Sequence, residues 1–200
     1  IIKNLTLVLI LLLVIIIAYL TFIGISTNKF NQIIEKKIIK KSLGIKFKFD
    51  KFKFTLQPLK LNLNIETKNP ILIIKDENIL IEKAEAKISI LSLIINKQSL
   101  KKIEIKSKKN SAKSLVKVLR NYENNFQTMI LDKSIRGGNL IFFVNLNFDK
   151  NGDIKDNYIV EGIVDNLKLE ILNKDYNFKL NFNFNIKNNL VEIVNSKIIY

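Results

Sequence analysis

The side chains that most enzymes use for chemistry are scarce in this sequence. Its 200 residues include no Cys, no His and no Trp. Thiol nucleophiles, histidine general bases and Cys/His metal sites are therefore excluded from this stretch. Two pairs of acids remain as candidates, Asp76 with Glu77 and Asp153 with Asp156. Both pairs fall in predicted turns, where solvated carboxylates are far commoner than catalytic ones. We therefore expect a protein that is not an enzyme, with no catalytic residue, metal ion or cofactor.

The charge of the chain is strongly basic, at a formal +15. Nucleic acid is a poor explanation, because the cations are almost all Lys, with only Arg120 and Arg136, and Arg is the preferred reader of phosphates and bases. No nucleic-acid-binding motif is present either. Residues 29–113 hold 21 Lys against 8 acids, whereas residues 114–200 hold 11 Lys plus Arg against 10 acids. The excess follows the apolar segment described next, so we expect a membrane partner and no nucleic acid.

That apolar segment runs from Leu5 to Ile25 and reads LTLVLILLLVIIIAYLTFIGI, without a charge. At 1.5 Å per residue it is long enough for a hydrocarbon layer of about 30 Å. The h-region of a cleaved signal peptide is shorter, and a core helix is rarely apolar on every side in so small a chain. We predict a transmembrane anchor within residues 1–27.

A short basic amphipathic helix is predicted over residues 28–44. Thr27 or Asn28 is a candidate N-cap, and Gly44 is typical of the position after a helix. One interpretation is a helix that caps the end of a sheet, and the other is a helix that lies on the bilayer surface. The lysines predicted to contact an anionic membrane surface are Lys36, Lys37, Lys40 and Lys41.

From residue 45 onward the hydrophobic period changes from 3.6 to 2, which predicts a strand-rich domain over residues 45–200. The clearest alternation is YNFKLNFNFNI, residues 176–186. Turn residues between the runs, such as Asn151-Gly152, favour hairpins and an antiparallel meander. Helical spacing of apolar residues predicts a second amphipathic helix near residues 111–126, and the segment from Leu91 to Asn96 is ambiguous between helix and strand.

One face of this sheet must be apolar along its whole length, and it must be covered. A second sheet or a helix would make a closed β-sandwich. The other possibility is a sheet curled into a half-open trough, with lipid acyl chains against its interior. The residues predicted to line such a groove are Leu61, Leu63, Phe142, Val144, Phe178, Leu180, Phe182 and Phe184.

The order of these features resembles the N-terminal region of the bacterial AsmA-like family. Three stretches carry the resemblance, namely SLGIKFKFDKFKFTLQPLKLNLNIE, ILIEKAEAKISILSLIINKQSLKKIEI and YIVEGIVDNLKLEIL. The resemblance implies an inner-membrane anchor, a periplasmic C-terminal domain, and a curled sheet that conducts phospholipid toward the outer membrane without catalysis. It also implies further strands beyond Tyr200, and we expect the chain to be a piece of a longer protein.

The sequence leaves two alternatives open, one for the side of the membrane and one for the function. The lysines after the anchor, taken alone, would place the following domain in the cytoplasm, although long domains translocate largely regardless of charge. The function also has an alternative, a membrane-tethered structural or assembly factor that binds envelope proteins through strand edges.

Overall fold

The computed structural model describes most of the chain. The described residues are 2–29, 31–32, 45–95, 97, 99–171, 174–188 and 190–199. Most of the predicted basic helix over residues 28–44, including its four site lysines, lies outside them.

Helix α1 spans Ile2–Phe22. Among the described residues it is the one helix long and apolar enough to span a membrane, and its qualifying segment Asn4–Phe22 has no part buried within the protein. The predicted apolar helix is therefore confirmed. Gly24, just after the helix, has a left-handed φ of 76° and donates its N–H to the Tyr19 carbonyl. Glycine suits this position because it adopts a positive φ without a steric penalty.

The described residues form twelve β-strands, named here in chain order. They are β1 (Ile25–Thr27), β2 (Ile45–Lys48), β3 (Phe52–Gln57), β4 (Asn62–Lys68), β5 (Ile71–Ile74), β6 (Glu77–Ser89), β7 (Leu100–Ser107), β8 (Asn110–Ser111), β9 (Ile135–Asn147), β10 (Ile159–Ile171), β11 (Lys174–Lys187) and β12 (Leu190–Ile199).

All twelve strands belong to one sheet, and all pairings are antiparallel. The main strand order is β1-β3-β4-β6-β7-β9-β10-β11-β12, with β2 and β5 paired beside β6 and with β8 paired to β9. Since β1 and β12 stand at opposite ends of this order, the sheet is open. The predicted open antiparallel meander is confirmed, and the alternative of a closed sandwich does not form in the described part of the chain.

Between β3 and β9 the described residues include three short helices and one 3-10 turn. The 3-10 turn, Pro58–Lys60, connects β3 to β4. Helix α2 (Ile90–Ile94) follows β6, and helices α3 (Ala112–Tyr122) and α4 (Phe126–Ser134) connect β8 to β9. The helix predicted near residues 111–126 is α3, which ends at Tyr122, four residues before the predicted end. Helix α4 was not predicted, and Asn125 and Thr128 form the capping box that begins it.

Candidate functional site

The two faces of the sheet differ sharply in chemistry because successive side chains in a strand point to opposite faces. In β9, Phe142 and Val144 lie on one face and Phe143 and Asn145 on the other. The apolar face, as we call the first, carries Phe142 and Val144 and the residues aligned with them in the neighbouring strands. It is the face that the period-2 alternation of the sequence predicts.

The strand register aligns apolar side chains across eight strands in what we call the long apolar row. Each member is the direct register partner of the next, from β3 to β12: Phe52, Thr67, Ala84, Ile105, Val144, Val160, Ile186 and Val191. Strands lie about 4.8 Å apart, so seven steps extend roughly 34 Å. The one polar member, Thr67, donates its hydroxyl to the Lys51 carbonyl at 3.1 Å. The row is thus an apolar path that runs across the strands.

A second row runs parallel to the first on the same face. It contains Phe54, Ile65, Ala86, Ile103 and Leu146, again as successive register partners. It lies nearer the edge at which β3 and β6 end and β4 and β7 begin, which we call the anchor-side end of the sheet. The name fits because β1 aligns Ile25 with Phe54, so α1 joins the sheet at this end.

The opposite end of the apolar face is covered by helix α3. Val118 packs with Ile74, Ile79 and Ile81 in one buried cluster, against which Phe142 also packs. Ala112 belongs to a second buried cluster with Ile135, Val164 and Leu167. The helix therefore closes only part of the face, and neither cluster includes Val144, Val160 or Ile186.

The predicted groove residues divide between these two regions. Leu180, Phe182 and Phe184 pack against the second helix-covered cluster, as Phe142 does against the first. Val144 lies in the long apolar row, and Leu63 lies on the same face, where it is aligned with Leu56 and Ile88. The structure brings these residues to one face, although a helix of the chain covers several of them.

Two of the predicted groove residues do not fit this description. Leu61 was expected to extend the alternation of β4, but it follows the 3-10 turn with a left-handed φ of 46° and is 52% exposed. Pro58 begins that turn, so the chain enters β4 only at Asn62. Leu61 therefore lies outside the strand, and its contact with lipid stays a prediction. The side chain of Phe178 lies outside the described part of the structure.

Across β4, β6 and β7 the outer face carries charges in place of apolar side chains. A chain of ion pairs crosses these three strands, in which Lys83 bonds Glu66 and Glu85 at 2.9 Å each. These two hydrogen bonds raise the pKa of Lys83. Lys102 and Glu104 form another pair at 2.8 Å. This part of the outer face is suited to water.

In β9 and β10 the outer face is mixed. It carries Ile141, Phe143 and Ile163 beside the polar residues Glu161 and Asn183.

The first acidic pair considered for catalysis, Asp76 and Glu77, borders a polar hollow of about 600 Å³ beside α3. Hydrogen bonds from Ser114 and Lys117 lower the pKa of Glu77. Across the hollow, Arg120 and Lys113 donate to Asp132 and hold its pKa below the usual range. Glu77 and Asp132 are therefore ionised and paired at neutral pH. The pair of Glu77 with Lys117 joins β6 to α3, and the pairs of Asp132 join α4 to α3.

The second acidic pair, Asp153 and Asp156, lies in the loop between β9 and β10. Asp153 donates its N–H to the Asp149 carboxylate, as do Asn151 and Gly152. These backbone N–H groups lower the pKa of Asp149. Within the described residues, no group of three or more acidic side chains is placed to hold a metal ion.

Sequence reasoning missed one buried polar residue that shapes the site. Asn110, only 5% exposed, accepts a hydrogen bond from the Leu80 N–H at 2.7 Å and donates to the Leu80 and Lys108 carbonyls at 3.0 and 2.8 Å. These bonds fix the start of α3 to β6. An Asn two residues before a predicted helix was the available signal, but its partner strand is not readable from the sequence.

Comparisons with family models, with curated proteins and with solved structures give no match for this chain.

Proposed function

We propose that this chain is a membrane-anchored lipid-handling protein of the AsmA-like type. In this proposal α1 anchors the chain in the inner membrane, and the sheet lies in the periplasm. Phospholipid acyl chains move along the apolar face, or are shielded by it, between the inner and outer membranes. The observation that carries the proposal is the long apolar row, which crosses eight strands and extends beyond the helix-covered clusters.

The physical basis is the cost of exposing hydrocarbon to water, about 0.8 kcal/mol for each CH₂ group. An acyl chain that lies against Val144, Val160 and Ile186 keeps its CH₂ groups out of water. An acyl chain that moves from one strand to the next meets another apolar side chain at every step except at Thr67, so most of it stays out of water. The lipid head group stays in water, and no covalent chemistry is required.

Photocrosslinking in the full chain tests this proposal. A photoreactive amino acid at Val144 faces the proposed lipid path, and the same amino acid at Phe143, the adjacent residue, lies on the outer face of the sheet. We expect phospholipid adducts, identified by mass, at position 144 and not at position 143. Equal capture at the two positions, or capture of protein alone at position 144, would contradict lipid handling by this face.

The second candidate is a structural or assembly factor that binds envelope proteins by strand addition. The observation in its favour is strand β12, which in the described structure pairs only through β11 and whose apolar side chains are exposed. An unpaired edge strand is a template for another strand. Protein adducts along β12 together with no lipid at Val144 would favour this candidate over the first.

A further inference from the structure

Two apolar segments lie side by side at the anchor-side end of the sheet. One is the turn over residues 58–61, and the other is α2 with Ile95. They are joined by a hydrogen bond from the Ile90 N–H to the Leu61 carbonyl at 2.9 Å. Six large aliphatic side chains of these segments are about half exposed or more: Leu59, Leu61, Leu91, Leu93, Ile94 and Ile95. We call these six residues the apolar rim.

The exposure of the rim is unusual for a surface in water. Leu59 is 100% exposed and Ile94 is 76% exposed, and the polar residues of this short helix are confined to Ser92 and the Ser89 cap. A contiguous apolar patch of this kind indicates an interaction surface, whereas single exposed apolar residues need no explanation.

The position of α1 indicates what the rim contacts. Thr21, one residue before the end of the apolar span, borders a hollow of about 430 Å³ together with Leu59 and Lys60. Strand β1 begins directly after Gly24 and pairs with β3, so no linker separates the helix from the sheet. The turn over residues 58–61 is therefore held beside the last turn of the span, at the depth where a bilayer surface would lie.

The charge of the rim also fits a membrane surface. The ionisable residues within residues 58–61 and 90–101 are Lys60, Lys97 and Lys101, and none of them is acidic. All three lysines are exposed. Exposed aliphatic side chains with lysines beside them are the composition of segments that lie in the interface of anionic bilayers.

We propose that the apolar rim inserts into the surface of the same phospholipid bilayer that α1 spans, as a second attachment that holds the open end of the apolar face against the lipid. The inference rests on the proposed membrane insertion of α1. It does not depend on whether the apolar face carries lipid. An acyl chain leaving the bilayer beside Leu59 would meet Leu56 and Leu63 first and then the second apolar row.

Tryptophan fluorescence tests the inference because the chain has no Trp of its own. The full chain is reconstituted in vesicles of phosphatidylethanolamine and phosphatidylglycerol, with or without lipids brominated along their acyl chains. Leu59→Trp and Ile94→Trp probe the rim, and their exposure means that neither should disturb the fold. Tyr19→Trp, within α1, is the positive control, and Tyr122→Trp, at the exposed end of α3, is the negative control.

We expect the two rim variants to have blue-shifted emission and to be quenched nearly as strongly as Tyr19→Trp, while Tyr122→Trp is not quenched. If Tyr19→Trp is quenched and both rim variants behave like Tyr122→Trp, the rim inference is overturned and the anchor stands. Rim variants that are shielded from acrylamide but not quenched by bromolipid would indicate a protein contact, which also overturns it. If Tyr19→Trp is not quenched, both the proposed membrane insertion of α1 and the rim inference are contradicted. Lipid capture at Val144 is measured separately, so failure of the lipid path is distinguishable from failure of the rim.

Discussion

The ring of Phe184 lies directly over Gly162, its register partner in the neighbouring strand. A Cβ atom at position 162 would lie 2.5 Å from Cε1 and Cζ of that ring and 2.8 Å from the Ile141 carbonyl oxygen. Phe142 is the partner of Gly162 on its other side. The glycine therefore leaves room for the Phe184 ring on the apolar face.

Gly162→Ala should destabilise the protein, because the Phe184 ring must move and the backbone oxygen cannot. We expect a loss of about 1–3 kcal/mol in the free energy of unfolding. Urea unfolding of the detergent-solubilised chain, followed by circular dichroism, measures it. Gly137→Ala is the matched control, since a Cβ there would meet only Lys168 Cδ, at 3.7 Å. Equal stability of the two variants would contradict the close approach of Phe184.

Asn110→Ala should be among the costlier polar substitutions in this chain. It removes three hydrogen bonds and leaves the Leu80 N–H without its side-chain partner. We expect the free energy of unfolding to fall by about 2–4 kcal/mol. Asn124→Ala, at an exposed position after α3, provides the comparison and should change stability little. A small effect at Asn110 would mean that water replaces its bonds.

Asp132 should make the protein sensitive to acid. Its pKa is lower in the folded protein, so its contribution to stability is complete above the unfolded pKa of about 4 and is lost as the pH falls through the folded value. Asp132→Asn should lower stability at pH 7 and flatten the pH dependence below about pH 4. Unfolding measured from pH 7 down to pH 3 checks this, with Asp156→Asn in an exposed turn as control. If the stability of Asp132→Asn falls as steeply at acid pH as that of the unsubstituted protein, the pairing of Asp132 with Arg120 and Lys113 is not the cause of the acid sensitivity.

A charge on the apolar face should block the proposed lipid path. Val144→Glu places a carboxylate in the long apolar row, where an acyl chain in contact with it would have to desolvate the charge. With a photoreactive amino acid at Val160, we expect lipid capture to fall strongly in Val144→Glu. Phe143→Glu adds the same charge to the outer face and should leave capture near its original value. Similar losses in both variants would indicate a general effect on folding.

Periodicity was sufficient to predict the faces of the sheet. The alternation of Leu180, Phe182, Phe184 and Ile186 placed these residues on one side, and the register confirms that assignment. The same reasoning predicted an antiparallel meander because the turn signals between the strands were local, whereas the choice between an open sheet and a closed sandwich needed the structure. Alternation and turn signals depend only on residues close together in the chain, so they can be read directly from the sequence.

The missing features depended on contacts between distant residues. Helix α3 was predicted from its own spacing, but its packing over Ile81 and Val164 depends on the arrangement of β6 and β10. Two further differences have local causes. Pro58 starts a tight turn, so Leu61 lies outside β4 although the alternation continues through it. Helix α4, which begins at the capping box of Asn125 and Thr128, was not predicted.

The direct passage from α1 through Gly24 into β1 has a mechanical consequence. A Cβ at Gly24 would lie 2.5 Å from the Phe54 carbonyl oxygen, so the joint is packed tightly and has little freedom to bend. A helix in a thinner bilayer tilts further to match the hydrocarbon thickness. In the proposed membrane setting, a stiff joint would make the sheet tilt together with α1. The thickness of the host bilayer would thereby set the angle at which the whole sheet stands above the membrane.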